Sequence, residues 1–313
     1  MINALTIDVE DYFHVTAFDR HIRPDQWDTY PLRVEGNTLR ILDMLDEYAL
    51  RATFFVLGWV AERLPALVRE IHRRGHEIAC HGYGHQLIYR LSPQEFRTDV
   101  AKAKAILEGL CGERVHGYRA PSYSITAKSL WALDILVEEG FSYDSSIFPI
   151  THDIYGIPGG KRFPHEISTH AGAIHEFPIS TFPLKFGAWQ SQLPIAGGGY
   201  LRLFPAALVA WAIQAINARE KQPAVVYFHP WEIDPHQPRI RAGLKSRFRH
   251  YLNLQRMELK IRYLLSNLRF SPVRDILKLN FHNSNDVVRE GCEFKHILPL
   301  SECSRKKRGL IWN

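Results

Sequence analysis

The sequence places two histidines, His81 and His85, four positions apart in the segment GHEIACHGYGH. This spacing occurs in metal sites on helices, but Gly82 and Gly84 favour a strand that runs into a glycine-rich turn. With 16 histidines in 313 residues, such a pair also arises about once by chance. The pair therefore indicates a metal site only if other residues of the chain support it.

Three carboxylates, Asp8, Glu10 and Asp11, lie at the end of the first apolar segment. Asp8 and Glu10 share a face while the chain is extended, whereas the direction of Asp11 is not determined by the pattern. A divalent ion held by His81, His85 and one carboxylate keeps open positions for water and a substrate oxygen. A second carboxylate can take the proton of that water, so the set indicates hydrolysis, although acids also begin polar loops.

A third histidine, His229, follows the apolar run VVYF late in the chain. Hydrolysis of an amide needs an acid that protonates the departing nitrogen, and a histidine at a strand end can supply it. A buried structural histidine is the alternative interpretation of His229.

Apolar segments and amphipathic segments alternate along the chain, which is typical of strands and helices in an α/β fold. The segment Ser92-Pro93-Gln94-Glu95 has the pattern of a helix start with a capping box. From residue 148 to 199 the alternation gives way to proline, glycine and aromatic residues. The order predicts a distorted (β/α) barrel of about seven parallel strands, with a loop-rich excursion before the last catalytic strand.

The active groups of such a barrel gather at the carboxyl ends of its strands. The candidate residues all end a predicted strand or follow one closely: Asp8, Glu10, His81, His85, Arg119, Asp144 and His229. The predicted fold therefore brings these residues together. Taken singly, Arg119 would be a surface ion pair and Asp144 a turn cap.

The sequence divides into a predicted barrel domain with additional C-terminal helices, 1–278, and a basic segment, 279–313. One long helix is predicted over 244–268, with a buried apolar stripe and a basic outer face. The last segment loses its periodicity and ends in Ser304-Arg305-Lys306-Lys307-Arg308, which predicts a loosely ordered tail.

Charge and composition limit the partners and the compartment. The net charge of +6 fits solvated basic faces or a peripheral contact with a membrane, and no nucleic-acid-binding module is recognisable. The four cysteines contain no C-x-x-C and fit free thiols in a reducing compartment. Neither a signal peptide nor an apolar run of about 18 residues is visible. We therefore expect a cytoplasmic protein that can contact the inner face of the membrane.

Five motifs in this order resemble those of the NodB-type polysaccharide deacetylases, carbohydrate esterase family four: ATFFVLG, GHEIACHGYGH, YRAPSY, YDSS and YFH. The opening IDVEDYF and the pair Trp231-Glu232 most resemble the branch that accompanies exosortase and exopolysaccharide loci. That branch is itself similar to the allantoinase-like and cytoplasmic peptidoglycan-deacetylase-like members. The resemblance covers residues 2–234.

The resemblance implies a metal site formed by His81, His85 and a carboxylate, with Asp8 as the general base. The family usually places a metal-binding aspartate directly after the base, but this sequence has Val9 there. A related branch uses an acid-x-acid pattern, which makes Glu10 the expected third ligand and Asp11 the alternative. The implied ion is divalent; we expect zinc, with cobalt and nickel as alternatives.

The resemblance also implies roles for residues later in the chain. Arg119 would orient the base, and Asp144 would orient His229, the general acid. Tyr123 would border the substrate pocket and supply a backbone amide to the oxyanion. We expect Trp231 to contact the substrate, since aromatic rings stack on sugar faces.

These residues predict a metal-dependent hydrolase that removes N-acetyl groups from an amino-sugar polymer or its lipid-linked precursor. One alternative keeps the fold and the metal but hydrolyses a small cyclic amide, as allantoinase-like relatives do. A second alternative is a carbohydrate-binding or assembly protein without metal, suggested by Val9 in the opening motif. The sequence does not determine the oligomeric state.

Overall fold

The computed structural model describes residues 1–186, 189–195 and 197–279. Residues Met1–Lys278 form one compact unit. The loosely ordered tail predicted over 279–313 lies outside the described residues, apart from Leu279. Among the described residues, no helix has the length and apolar character needed to span a bilayer.

The strands are β1 (Asn3–Val9), β2 (Thr53–Val56), β3 (Glu77–Cys80), β4 (Gly117–Tyr118), β5 (Tyr143–Asp144), β6 (His165–Thr169), β7 (Gly172–Glu176), β8 (Thr181–Phe186), β9 (Trp189–Pro194), β10 (Val225–Phe228) and β11 (Phe270–Ser271). Seven of them run parallel in the order β10-β1-β2-β3-β4-β5-β7. At the β7 edge β6 pairs antiparallel, and β11 adds to β1. This arrangement confirms the predicted α/β fold of about seven parallel strands.

The central strands are buried along their whole length, which explains their apolar sequences. Every residue of β1, β2, β3 and β10 is buried. Parallel strands covered on both faces require this composition, unlike strands with one face in solvent.

The strand order of the described residues ends at β10 on one side and at the β6–β7 pair on the other. Residues between β7 and β10 fill the gap: the amide of Val225 donates to the hydroxyl of Ser180, and Gly197 bridges Tyr227. A Cβ at Gly197 would overlap the backbone carbonyl of Tyr227, so this close approach needs glycine. Part of the excursion also folds into the separate two-stranded sheet β8–β9.

The helices are α1 (Val34–Glu47), α2 (Gly58–Arg63), α3 (Pro65–Arg73), α4 (Pro93–Cys111), α5 (Trp131–Glu138), α6 (Gly198–Leu203), α7 (Ala206–Arg219), α8 (Leu244–Tyr251), α9 (Leu254–Asn267) and α10 (Val273–Leu277). Helices α3 and α4 pack against β3, and α5 packs against β7. The predicted start of α4 is confirmed, since the hydroxyl of Ser92 and the carboxylate of Glu95 form a capping box.

The prediction of one helix over 244–268 is wrong. Two helices, α8 and α9, meet at Asn253, whose φ of 55° lies in the left-handed region. Asparagine tolerates this conformation better than most residues, and its side-chain amide donates to the carbonyl of Arg202 at 2.9 Å. No glycine or proline lies between residues 244 and 268, which is why the sequence pattern did not reveal the break.

Candidate active site

The glycine-rich turn after β3 carries the two predicted metal histidines. His81 follows β3 directly, and His85 lies in the turn with a φ of 49°. The carboxylate of Asp99, on α4, accepts the amides of Tyr83 and Gly84 at 2.7 and 2.9 Å. Asp99 thus fixes the turn from a neighbouring helix, a contact that the sequence pattern did not indicate.

Glu10, at the end of β1, meets these two histidines. One ligand atom from each of Glu10, His81 and His85 lies within 4.8 Å of the other two. The Oε2 atom of Glu10 is 2.6 Å from Nε2 of His85. The structure therefore brings the three expected ligands together at the carboxyl ends of β1 and β3, two parallel strands separated by β2.

The ring of His81 is oriented for metal binding. Its Nδ1 atom is 2.8 Å from the backbone carbonyl of Arg119, to which an Nδ1–H group can donate. This contact leaves Nε2 as the ligand atom, an arrangement common among metal-binding histidines. Burial lowers the pKa of His81 to about 4, so the ring is neutral, as a ligand must be.

The carboxylate of Glu10 also fits a cation. Its Oε1 accepts a hydrogen bond from Nε1 of Trp231 at 3.2 Å, whereas its buried Oε2 lies against Nε2 of His85 and accepts no hydrogen bond from another described residue. Burial raises the pKa of Glu10, but the charges of His85 and His229 more than offset this and lower it. A buried carboxylate held in its charged form needs a cationic partner, which a protonated His85 or a bound metal ion supplies. The donor set of two imidazoles and one carboxylate therefore fits a divalent metal ion.

Asp11, the alternative ligand, lies elsewhere. Its Oδ1 accepts the amide of Tyr12 at 2.9 Å, and its Oδ2 accepts the amides of Arg33 and Val34 at 2.6 and 2.9 Å. These contacts satisfy donors at the start of α1. The structure thus places Glu10, and not Asp11, beside the histidines.

Asp8 is held by a buried arginine. Nη1 of Arg119 is 2.7 Å from Oδ1 of Asp8, and both side chains are at most 2% exposed. Arg119 also donates to the hydroxyl of Thr6 and to the carbonyl and hydroxyl of Ser145. Its guanidinium is therefore fixed on three sides and fixes Asp8 in turn. Oδ2 of Asp8 stays on the side of His229, 3.8 Å from Nε2.

His229 is oriented by Glu232. Oε2 of Glu232 is 3.0 Å from both Nδ1 and the backbone amide of His229, and its Oε1 is 2.6 Å from Nε of Arg202. Burial lowers the pKa of His229, but the carboxylates of Glu10 and Glu232 raise it to about 9. The ring is therefore protonated at neutral pH and presents Nε2–H toward Asp8 and Glu10.

The expected pairing of Asp144 with His229 is wrong. Asp144 accepts the hydroxyl of Ser146 at 2.5 Å and lies opposite Glu176 across β5 and β7. Burial raises the pKa of Asp144. The Nδ1 position of His229 is taken by Glu232, three residues later in a 3₁₀ helix with a capping box. That spacing of three is the sequence signal that would have pointed to Glu232.

Tyr123 and Trp231, expected to contact substrate, both line the central cavity, but their polar groups have other partners than expected. The amide of Tyr123 donates to the carbonyl of Ala120 at 3.0 Å, so it is not free for an oxyanion, and the hydroxyl lies 3.5 Å from Asp8. Trp231 is 4% exposed, and its ring stacks on His229 and His250. Little of that ring is left for a sugar, and its main contact is the hydrogen bond to Glu10.

A cavity of about 180 Å³ joins these groups. Its walls include the three candidate ligands, Asp8, Tyr123, His229 and Trp231, together with Thr16, Ser122 and Tyr155 from surrounding loops. The candidate base Asp8, the candidate acid His229 and the candidate metal ligands thus face one small space.

Comparison with known proteins agrees with this chemistry. Residues 26–136 match the family model "Polysaccharide deacetylase". The chain carries a polysaccharide deacetylase domain. Residues 145–278 match a second model, described as "Domain of unknown function (DUF3473)".

Curated relatives of the polysaccharide deacetylase domain include enzymes of cell-wall and chitin sugars. A peptidoglycan-N-acetylglucosamine deacetylase of Bacillus cereus is 31% identical over 142 residues, 41% of this chain and 50% of that protein. A chitooligosaccharide deacetylase of Bradyrhizobium is 30% identical over 96 residues, 31% of this chain and 42% of that protein. The chain thus spans about half the length of these relatives or less.

Solved structures share the fold over most of this chain. A Mycobacterium smegmatis protein described as a polysaccharide deacetylase has a TM-score of 0.58 and 22% identity, covering 88% of each chain. The Puue allantoinase has a TM-score of 0.56 and 15% identity, covering 88% of this chain and 89% of its own. At these identities the likeness establishes the barrel-like fold.

The site combines residues from both matched segments of this chain. His81, His85, Arg119 and Tyr123 lie within 26–136, and the set from the second segment is His229, Trp231 and Glu232. Asp8 and Glu10 precede both. The segment of unknown function therefore supplies the candidate acid and the residues that orient it.

Proposed function

We propose that this protein is a metal-dependent hydrolase that removes N-acetyl groups from an amino-sugar polysaccharide or its lipid-linked precursor. The observation that carries this proposal is the convergence of Glu10, His81 and His85 beside Asp8 and His229. Two imidazoles and a carboxylate favour zinc, with cobalt or nickel as alternatives. The ion would polarise the acetyl carbonyl and make a water molecule more acidic.

The residues of the chain supply a base and an acid at separate points. Asp8 accepts the proton of the attacking water, and Arg119 holds its carboxylate in one orientation. His229 donates its Nε2 proton to the departing amine, because Glu232 keeps Nδ1 protonated and its carboxylate raises the pKa of the ring. The products are acetate and a free amino sugar.

The size of the cavity supports an acetyl group as the part of the substrate that enters. A volume of about 180 Å³ is below the range of about 300–1,000 Å³ typical of pockets that enclose whole ligands. The polymer itself would lie outside this cavity. The named activities of the relatives, on peptidoglycan and chitooligosaccharide, fit such a substrate.

The biological setting in this proposal is exopolysaccharide biosynthesis in the cytoplasm, at the inner face of the membrane. Its support is the resemblance of IDVEDYF and Trp231-Glu232 to the exosortase-associated branch. Free thiols at Cys80 and Cys111 fit a reducing compartment.

The decisive experiment measures acetate release from N-acetylglucosamine oligomers by zinc-loaded protein. Activity should be lost in Asp8→Asn and in His81→Ala, and retained in His170→Ala, a matched change of an exposed histidine. Metal analysis should find one ion in the wild type and none in Glu10→Ala. Unchanged acetate release by the Asp8 and His81 variants would overturn the proposal, and so would wild-type protein that takes up no metal.

A second candidate function is hydrolysis of a small cyclic amide. The small cavity favours it, since a compact amide could enter whole. A panel of allantoin and N-acetylated oligosaccharides separates the two functions. Turnover of allantoin alone would identify a cyclic amide, and not a polysaccharide, as the substrate of this site. A protein that binds oligosaccharide without metal or turnover would instead be a carbohydrate-binding protein.

A further inference from the structure

A strongly basic segment surrounds helix α8. Between Asp234 and Glu258 the sequence contains no acidic residue, but it contains six Arg and Lys residues: Arg239, Arg241, Lys245, Arg247, Arg249 and Arg256. Helix α8, Leu244–Tyr251, lies in the middle of this segment. The segment therefore has a net positive charge, and no carboxylate within it offsets the six cations.

The exposed face of α8 combines these cations with two large apolar side chains. Leu244 is 84% exposed and Phe248 is 63% exposed. They are four residues apart, so they lie on the same face of the helix. Lys245, Arg247 and Arg249 are also exposed. An apolar pair flanked by cations is typical of helices that bind in the plane of a membrane surface.

Two basic residues on the outer face of the neighbouring helix α9 are engaged with other groups. Nζ of Lys260 donates to three backbone carbonyls, at 2.6 to 3.0 Å, and Arg262 pairs with Glu47 and Glu258. The exposed basic surface is thus centred on α8, with Arg256 at the start of α9 beside it in the sequence.

One acid from another element faces α8. Oδ2 of Asp153 lies 3.9 Å from Nζ of Lys245 and 4.0 Å from Nη1 of Arg249. Ion pairs of this length between exposed side chains contribute little. The face therefore keeps a positive charge.

Helix α8 also borders the catalytic cavity. His250, its buried residue, stacks on Trp231 with ring centroids 4.2 Å apart, and Trp231 lines the cavity. The helix packs against residues Thr16–Phe18, of which Thr16 lines the same cavity. A partner bound to α8 would thus lie beside the entrance to the site.

We propose that α8 binds the surface of an anionic lipid bilayer, with Leu244 and Phe248 inserted among the headgroups and the cations beside lipid phosphates. A second copy of the chain is a poor occupant, because two such faces would bring like charges together. A nucleic acid would match the charges but would leave both apolar side chains in water. Resting on the proposed function, this contact would hold the cavity near a membrane-attached glycan precursor.

The experiment is sedimentation of the full chain with phosphatidylcholine vesicles, with and without phosphatidylglycerol. The full chain carries Arg305, Lys306, Lys307 and Arg308 in every variant, so their contribution is constant. We expect binding to the anionic vesicles, reduced at least about tenfold in Leu244→Ser/Phe248→Ser. The single substitutions Lys245→Gln and Arg249→Gln should each reduce vesicle binding by about fivefold.

Matched controls replace equally exposed residues elsewhere. Leu259→Ser, at a 69% exposed position of α9, and Arg69→Gln/Lys128→Gln should bind as the wild type does. An equal loss in these controls, or no vesicle binding by the wild type, would overturn the proposal. Loss of self-association instead of vesicle binding in the Leu244/Phe248 variant would identify a second copy as the occupant. Loss of duplex DNA binding only in the charge variants would identify a nucleic acid.

Vesicle binding is measured without turnover, so it tests the α8 proposal separately from the catalytic one. Acetate release from a soluble oligosaccharide should be equal in the wild type and in the α8 variants. Failure of catalysis with intact vesicle binding would remove the deacetylase proposal and leave the membrane surface standing.

Discussion

Two fully buried glutamates, Glu10 and Glu77, lie at opposite ends of the parallel strands. Glu77 begins β3 and accepts the hydroxyl of Tyr143 at 2.9 Å, the hydroxyl of Thr53 at 2.5 Å and the amide of Arg274 at 3.2 Å. Glu10 follows β1 and accepts a hydrogen bond from Trp231, but its Oε2 faces His85 without one. Burial is equal for the two residues, and their partners differ.

The difference distinguishes a structural carboxylate from a functional one. Neutral donors surround Glu77, and burial raises its pKa, so the fold favours its uncharged form. Histidines surround Glu10 and lower its pKa, so the fold favours its charged form. Keeping a charged carboxylate in a core is costly unless a cation lies beside it. We therefore expect the end of the barrel with Glu10 to bind a ligand and the end with Glu77 to contribute to stability.

The strongest test of this comparison replaces each of the two glutamates by glutamine in a separate variant. Substitutions of residues that only support a metal ligand already cost about 10–100-fold in affinity or activity. Glu10→Gln removes a ligand charge, so zinc affinity and acetate release should fall by more than about 100-fold. Glu77→Gln should keep both within a few fold, measured by metal titration and by an acetate assay. Equal losses of zinc affinity in the two variants would end the distinction.

Glu232, a third buried glutamate, extends the comparison to the acid. Glu232→Gln removes the carboxylate that orients His229 and raises its pKa, so kcat should fall by about 10- to 100-fold. Since the acid acts while protonated, a lower pKa moves the alkaline limb of the pH–rate profile to lower pH.

Asp144→Asn is the matched control for this prediction. Asp144 contacts Ser146 and Glu176 rather than His229, so the alkaline limb should stay in place. A limb that moves in the Asp144 variant and stays in the Glu232 variant would restore the pairing that the resemblance implied.

The sequence predicted the position of the site but not all of its contacts. Buried parallel strands have continuous apolar sequences, so the ends of β1, β3 and β10 could be recognised and their polar neighbours grouped. The spacing of Asp8 and Glu10 also placed both carboxylates on one face. These inferences depend only on strand direction and on the two-residue period.

The remaining contacts depend on side-chain directions and on turns, which the hydrophobic periodicity of the sequence does not predict. Asp144 and Glu232 both lie near strand ends, and only the 3₁₀ helix after His229 decides which carboxylate reaches its ring. The amide of Tyr123 is used within its own turn. The break at Asn253 carries no glycine or proline that would mark it in the sequence.

At the end of the barrel where Glu77 lies, the substitution Glu77→Ala should lower the free energy of unfolding. The change leaves two hydroxyls and one amide without their buried acceptor, and each such group costs about 1–3 kcal/mol. We expect a total loss of about 3 kcal/mol, measured by urea unfolding. Acetate release per folded molecule should stay near the wild-type value, because Glu77 is at the far end of β3. A selective loss of activity without a loss of stability would break the comparison.

The smallest expected effect is on the pH dependence of the free energy of unfolding, through the titration of Glu77. Because the pKa of Glu77 is raised in the fold from its ordinary 4.5, its contribution to stability is complete below about pH 4.5 and is lost as pH rises through the folded pKa. Glutamine does not titrate, so Glu77→Gln lacks this loss. The stability of the variant relative to the wild type should therefore increase from acid to neutral pH, compared through urea unfolding at both. An opposite trend would mean that Glu77 is held as a charged carboxylate, as Glu10 is.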